Sequence, residues 1–166
     1  MSVSVKKATS TNITFLWYLR NQPDVYQYFK TPKPVAWEEH VNWIVPILLS
    51  LSEKTIYLIS YNDLPAGQLR FNFEPLAKNK LVYYENHSAK IGSAEISISL
   101  LKEFRGKGIA KIALKKGIEM MKRGKKMKTL TAEIHQDNAT SLTLFEEMGF
   151  TQIDARGPYI HYQLSL

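Results

Sequence analysis

The stretch from Ser93 to Met121 constrains the fold more than any other part of this sequence. Ala94-Glu95-Ile96-Ser97-Ile98-Ser99-Leu100 alternates with a period of two, the pattern of a strand with one buried face. Ala110, Ala113, Leu114, Gly117, Ile118 and Met121 then recur at helical spacing and form one apolar stripe. Between them lies Arg105-Gly106-Lys107-Gly108-Ile109-Ala110. Strand, short glycine-bearing basic turn and helix, in that order, aim main-chain N–H groups and a helix's positive end at one point, which suits phosphate. The glycines permit close main-chain approach, and Arg105 and Lys107 add charge, which favours a pyrophosphate. The turn lacks the third glycine of a dinucleotide fold and the G-x-x-x-x-G-K-[ST] pattern. Taken alone, these residues fit equally a βα turn whose glycines serve geometry only.

Composition narrows the class. The 166 residues suit a single domain, 1–166, large enough to bury a real core. There is no cysteine, so disulfides and thiolate metal sites are excluded. The longest apolar run, Trp43 to Leu49, is broken by Pro46, and no basic-then-apolar leader opens the chain. These features predict a cytoplasmic protein with no membrane association. The net charge of +7 is unevenly placed. Arg105 to Lys128 holds ten Lys or Arg against the single acid Glu119, so the rest of the chain is slightly acidic. Such a cluster fits a polyphosphate-bearing ligand, a nucleic acid, or, for Lys122 to Lys128, a solvated face.

Along the chain, Ser2 to Ala8 reads as an edge strand, and Asn12 to Phe29 as helical with a break at Gln22-Pro23-Asp24. Lys30 to Pro34 is a loop. Trp37, Val41, Ile44, Val45 and Leu48 predict a second helix that Pro46 kinks or ends. Thr55–Ser60 and Gly67–Phe73 form a hairpin, and Leu81–Tyr84 a short strand before a turn at Glu85 to Ser88. Lys122 to Lys128 is a connector. Thr129 to His135 is a strand with Glu133 and His135 on one face, followed by a helix capped at Asp137 or Asn138 and stopped at Gly149. Phe150–Ile153 and Tyr159–Leu164 are strands around a turn at Arg156-Gly157-Pro158. The order gives an α/β chain of the α+β type whose two βα units run parallel.

Two motifs carry a resemblance. Arg105 to Ala110 is similar to the [Q/R]-x-x-G-x-[G/A] signature of the GNAT N-acetyltransferase superfamily, and Asn138 to Phe150 to its N-x-x-[SA]-x-x-L-[YF]-E-x-x-G-F segment. They occur in the family's order, separated by a helix and a strand. The resemblance implies a mixed, mostly antiparallel sheet with a central splayed parallel pair flanked by helices. It implies an acetyl-CoA-binding core at 93–153, substrate-side helices at 12–51, acetyl-CoA as co-substrate and no metal. Main chain near Ile98 and Leu100 would hold the pantetheine arm, with the Leu100 N–H facing the thioester carbonyl. Arg105, Gly106, Lys107, Gly108, Ile109 and Ala110 would hold the pyrophosphate. Asn138 would orient the arm or a water, or simply cap its helix, and Phe145 would stand beside the cofactor.

An amine is an ammonium at neutral pH and must lose a proton before it attacks, so a carboxylate or histidine is needed. Glu133, His135 and Glu95 qualify by placement, and Glu133 ranks first because some family members use a glutamate placed like it. Phe145 departs from the family, where tyrosine is common as the acid toward the leaving thiolate. Tyr159 and Tyr162 are the substitutes, although a thiolate of pKa about 8.5 leaves tolerably unaided.

Leu19-Arg20-Asn21, Asp24-Val25 and Glu38 to Ile44 resemble a branch that includes nucleotide-linked amino-sugar N-acetyltransferases and relatives acting on ribosomal-protein N-termini. Arg20 and Lys30 are candidates to meet phosphates, and Tyr28 or Phe29 to stack on a base or sugar. The expected partner is a small-molecule amine, and the expected assembly a monomer or homodimer. Protein N-termini, polyamines and aminoglycosides are the alternative acceptors. A silent CoA-binding sensor and a basic nucleic-acid-binding domain, the latter disfavoured, are the rival classes.

Overall fold

The alternating run at Ala94 to Leu100 lies at the centre of a sheet in the computed structural model, which describes residues 2–75, 91–123 and 127–166. The strands are β1 (Val3–Lys7), β2 (Lys54–Tyr61), β3 (Leu64–Pro75), β4 (Ile91–Leu100), β5 (Thr129–His135), β6 (Thr151–Arg156) and β7 (Tyr159–Ser165). The helices are α1 (Ile13–Arg20), α2 (Pro23–Tyr26), α3 (Trp37–Leu48), α4 (Ile109–Arg123) and α5 (Ala139–Glu147). Across the sheet the order is β1-β2-β3-β4-β5-β7-β6. Every neighbouring pair is antiparallel except β4 and β5, whose parallel course needs the crossover that α4 supplies.

The parallel pair is short. Ser93, Ala94 and Glu95 face Thr129, Leu130 and Thr131, and the pairing stops there. Beyond it β4 stays bonded to β3 as far as Leu100, and β5 stays bonded to β7 as far as His135. Each strand follows its outer neighbour, and the two part in the expected splay.

Register sorts the two faces. Leu69 and Phe71 lie opposite Ile98 and Ile96, and with Ala94, Leu130, Ala132 and Ile134 they form the face that α4 covers. Ala113, Leu114 and Ile118 are buried against it. At Gly117 the approach is closest, because a Cβ there would overlap the Leu69 side chain and come within 3.2 Å of the Phe71 ring. The other face is polar: Gln68, Arg70 and Asn72 pair with Ser99, Ser97 and Glu95, and Glu133 and His135 with His161 and Tyr159. Helices α1 and α3 close part of it through a second core of Leu16, Ile44, Ile47 and Ile56, and α2 through Leu19, Val25 and Leu101.

Several local expectations hold for stated reasons. The β2–β3 hairpin turns on Asn62 and Asp63, at φ +47° and +65°, where Asn and Asp are the tolerated non-glycine residues. Pro23 breaks the first helical stretch by opening α2, and Asn138 caps α5 by accepting from the Ser141 N–H. Pro46 sits inside α3, which ends two residues later at Leu48. The buried stripe of α3 differs from the expected one: His40, Ile44 and Ile47 face inward, whereas Trp37 is 44% exposed and packs edge-on against Trp17 at 5.5 Å. Ile44 and Ile47 dock on Leu16 and Ile56, and that contact turns the helix by part of a turn. Lys122 and Arg123 extend α4 rather than starting the connector. The strand expected at Leu81–Tyr84 and the turn at Glu85 to Ser88 lie outside the described residues.

Candidate active site

After β4 the chain makes a 3₁₀ turn at Lys102–Phe104 and enters α4 through Arg105 to Gly108. Gly106 and Gly108 have φ of +71° and +73°, and a Cβ on either would meet nothing within 4 Å. Glycine is required here by main-chain conformation, and the main chain stays open to approach. The first N–H groups of α4 have no partner within the helix and face outward at this end. The Arg105 side chain is engaged elsewhere. Its Nε and one terminal nitrogen donate to the Leu100 carbonyl at 3.0 and 2.7 Å, and the other terminal nitrogen pairs with Asp24 at 2.6 Å. Arg105 therefore straps the end of β4 to α2. Lys107 places its ammonium beside the Phe104 and Tyr61 rings.

From this turn a cleft of about 760 Å³ runs through the gap between β4 and β5 and across the polar face of the sheet. Ile98, Leu100, Arg105, Ala110, Asn138 and Phe145 line its turn-side end. Glu95, Glu133 and His135 line its middle with Tyr28, whose ring lies 5.9 Å from that of His135; Phe29 packs beside Leu101 and Phe104, and Arg20 lines the far end. Gly106, Lys107 and Gly108 stand outside the lining, and Ile109 is buried in the core at 1% exposure. Phe145 is buried too, edge-on to Phe150 at 5.0 Å.

The titratable groups of the middle are held differently. Both Glu133 oxygens reach the Lys30 ammonium, at 2.8 and 2.9 Å, and His161 stands 3.6 Å away across the strand pair. The hydrogen bond to Glu133 raises the pKa of Lys30. His135 accepts the Asp137 N–H on Nδ1 at 3.2 Å and packs edge-on against Tyr159 at 5.3 Å. Its neutral form thus carries the proton on Nε2. Tyr159 faces the cleft, its hydroxyl on the Tyr28 carbonyl at 3.4 Å. Tyr162 does not: it is buried, bonds Glu146 at 2.8 Å, and burial with that carboxylate pushes its pKa up to about 12.

At the far end Arg20 donates to the Lys33 and Thr31 carbonyls at 3.3 Å and lies 4.6 Å over the Phe29 ring. Burial lowers its pKa, an effect Glu39 opposes. Arg70, His40 and Asn72 also line this end, and none of the three is among the residues expected from sequence. The alternation of β3 puts Arg70 and Asn72 on one face, but only its register with β4 brings that face to Glu95. Among the described residues no cluster of His, Asp or Glu is placed to hold a metal ion, and no helix is long and apolar enough to cross a membrane.

The site is thus a parallel pair that parts beside a glycine turn, with a carboxylate-lined cleft across it. Residues 6–151 match the family model of the acetyltransferase (GNAT) domain, and the chain belongs to that family. Acetyltransferase PseH of Campylobacter jejuni is 24% identical over 162 residues, 96% of this chain and 91% of that protein. Two solved structures share the fold at a TM-score of 0.81. Aminoglycoside acetyltransferase AAC(6')-Ib with ribostamycin and coenzyme A is 15% identical, covering 99% of this chain and 94% of its own. RimL, a ribosomal alpha-N-protein acetyltransferase with coenzyme A, is 20% identical, covering 100% and 95%.

Proposed function

We propose that the protein takes acetyl-CoA as co-substrate and transfers the acetyl group directly to the primary amine of a small molecule, an amino sugar carried on a nucleotide. The observation that supports this most is the parting of β4 and β5 after Glu95 and Thr131, beside the open Gly106–Gly108 turn. The likeness to the Campylobacter acetyltransferase spans 96% of the chain and so includes the acceptor half. Trp43, Tyr28 and Phe29 give the cleft the aromatic walls a sugar or base needs.

The residues fit the co-substrate. Acetyl-CoA would supply an acetyl group activated as a thioester, and the chain does the rest. Main-chain N–H groups from Arg105 to Ala110 would hold the pyrophosphate at the positive end of α4. The free edge of β4 at Ile98 to Leu100 would take the pantetheine arm, with the Leu100 N–H set toward the thioester oxygen. Asn138 spends its Oδ1 on the Ser141 N–H, which leaves its amide nitrogen for the arm or a water.

Glu133 is the base in this reading. Lys30 holds its ammonium against that carboxylate, so an acceptor ammonium replaces like with like. Glu133 takes one ammonium proton, the amine nitrogen bonds the acetyl carbon, the carbon–sulfur bond breaks with the electron pair on sulfur, and the nitrogen's second proton passes to that thiolate to give the free thiol. Glu95 is the second candidate. His135 is less suited, because its Nδ1 already accepts from Asp137. Phe145 cannot donate a proton and Tyr162 is committed to Glu146, so of the two substitute tyrosines Tyr159 is the one that lines the cleft.

The test is a melting scan with acetyl-CoA, then a thiol-release assay over nucleotide-linked and free amino sugars, aminoglycosides, polyamines and peptides. Acetyl-CoA at about 100 times its Kd is expected to stabilise the fold by about 2.7 kcal/mol. No rise in melting temperature would defeat the acetyl-CoA reading. A rise without thiol release from any amine would identify a silent sensor.

A further inference from the structure

Arg70 differs from every other cation of the cleft. Lys30 is paired with Glu133, Arg105 with Asp24 and the Leu100 carbonyl, and Arg20 with the Thr31 and Lys33 carbonyls. The Arg70 guanidinium lies 6.0 Å over the Trp43 ring and, among the described residues, makes no hydrogen bond and no ion pair. Its register places it opposite Ser97 and diagonal to Glu95, so Glu95 acts on it only as a nearby charge. Burial pulls its pKa down, yet an arginine stays charged in any protein setting. Arg70 is half-buried, and its guanidinium donors, unmet by the protein, are left to a ligand in the cleft.

Two further groups at the same end are also unmet. Asn72, two residues along the same strand face, has a buried Oδ1 without a partner. His40 is 2% exposed, and its Nε2 has none either. The Ile13 backbone opposes the effect of burial on the ring, as it does for a ring N–H directed at it, and this leaves Nε2 the acceptor for a hydroxyl. Three unmet polar groups from β3 and α3 converge on one end of one cleft.

We infer that this end is an anion subsite centred on Arg70, and that the acceptor carries a phosphate or carboxylate besides its amine. The planar fork of Arg70 takes such a group with two parallel hydrogen bonds. Hydroxyl groups of the acceptor beside that anion donate to the two unmet acceptors, His40 Nε2 and Asn72 Oδ1. The ammonium end then falls to Glu133 and Glu95. A polycation would set its charges against Arg70 and Arg20 and is disfavoured. The inference rests on the cleft being the acceptor site, and it moves anion recognition from Arg20 and Lys30, which are already engaged, to Arg70.

Two measurements test it on the full chain. In the first, inorganic phosphate is titrated by thermal shift against protein saturated with CoA, so that the turn is already filled. The melting temperature is expected to rise for the wild type and to stay flat for Arg70→Gln. No rise, or an equal rise in both, overturns the subsite. In the second, KM is compared within matched pairs: glucosamine and its 6-phosphate, and an amino acid and its amide. The charged member of one pair is expected to have a KM at least tenfold lower, and which pair shows it separates phosphate from carboxylate. That ratio should fall toward one in Arg70→Gln while the acetyl-CoA Kd is unchanged. Equal KM values within both pairs, or a preference that survives Arg70→Gln, overturn the inference and leave acetyl transfer standing.

Discussion

The two ends of the cleft are made from different parts of the polypeptide. The turn-side end is main chain: two glycines at positive φ, the open edge of β4 and the first N–H groups of α4. The far end is side chain: Arg20, His40, Trp43 and Arg70 arrive from α1, α3 and β3. A main-chain site depends on conformation, so a few glycines specify it and most substitutions around it leave it intact. A side-chain site depends on each residue that reaches it, so it can change its ligand without changing the fold. The same division explains how RimL and AAC(6')-Ib, at 20% and 15% identity, superpose on this chain so closely.

Perturbing each end separately tests the division, and the largest expected effect is at the centre. Glu133→Gln should lower kcat by about 10²- to 10⁴-fold while the melting shift with acetyl-CoA persists. Turnover unchanged at every pH would remove Glu133 from the chemistry. Gly108→Val forces a β-branched residue to φ +73°, a strain of about 1–3 kcal/mol. Calorimetry should then show acetyl-CoA binding weakened roughly 5- to 150-fold, with the acceptor KM nearly unmoved. If the affinity is unchanged, the turn does not hold the pyrophosphate.

Asp24→Asn addresses the strap that joins the ends. The Arg105–Asp24 pair is about a third exposed on both sides, so its loss costs at most about 1 kcal/mol. A rise of about two- to fivefold is expected in both the acceptor KM and the acetyl-CoA Kd, because one guanidinium holds α2 and the Leu100 carbonyl together. A change confined to one ligand would show the ends to be independent. The smallest effect is on stability. Burial holds the His40 imidazole below its ordinary pKa of 6.5. As pH falls below that value the unfolded chain takes up a proton that the folded chain refuses, so stability drops on acidification. Denaturant midpoints between pH 8 and 5 should show this slope in the wild type and a flatter one in His40→Phe.

How much of this was legible follows from the distance over which each feature is determined. The β4–turn–α4 unit, the β2–β3 hairpin and the Asn138 cap are local, and their residues announce them. The inward face of α3 was misjudged because Trp37 counted as core, while docking on Leu16 and Ile56 decided the matter. The Arg105 side chain was assigned to the turn, and its actual partner, Asp24, is far away in sequence. Lys30 and Glu133 are 103 residues apart, and no periodicity reports such a pair. Arg70 was hidden in an ordinary alternating strand. Its significance comes from what it fails to touch, and only a structure can show that.

Because β4 and β5 pair over only three residues, Ile96 to Leu100 form a second sheet edge in the interior of the molecule. Peptide groups along such an edge are a template for any passing strand, and proteins ordinarily blunt or cover them. Here the Arg105 guanidinium caps the last carbonyl, and the rest is left for a ligand whose own amides can complete the row. On the proposed function the pantetheine arm would serve there as a removable eighth strand.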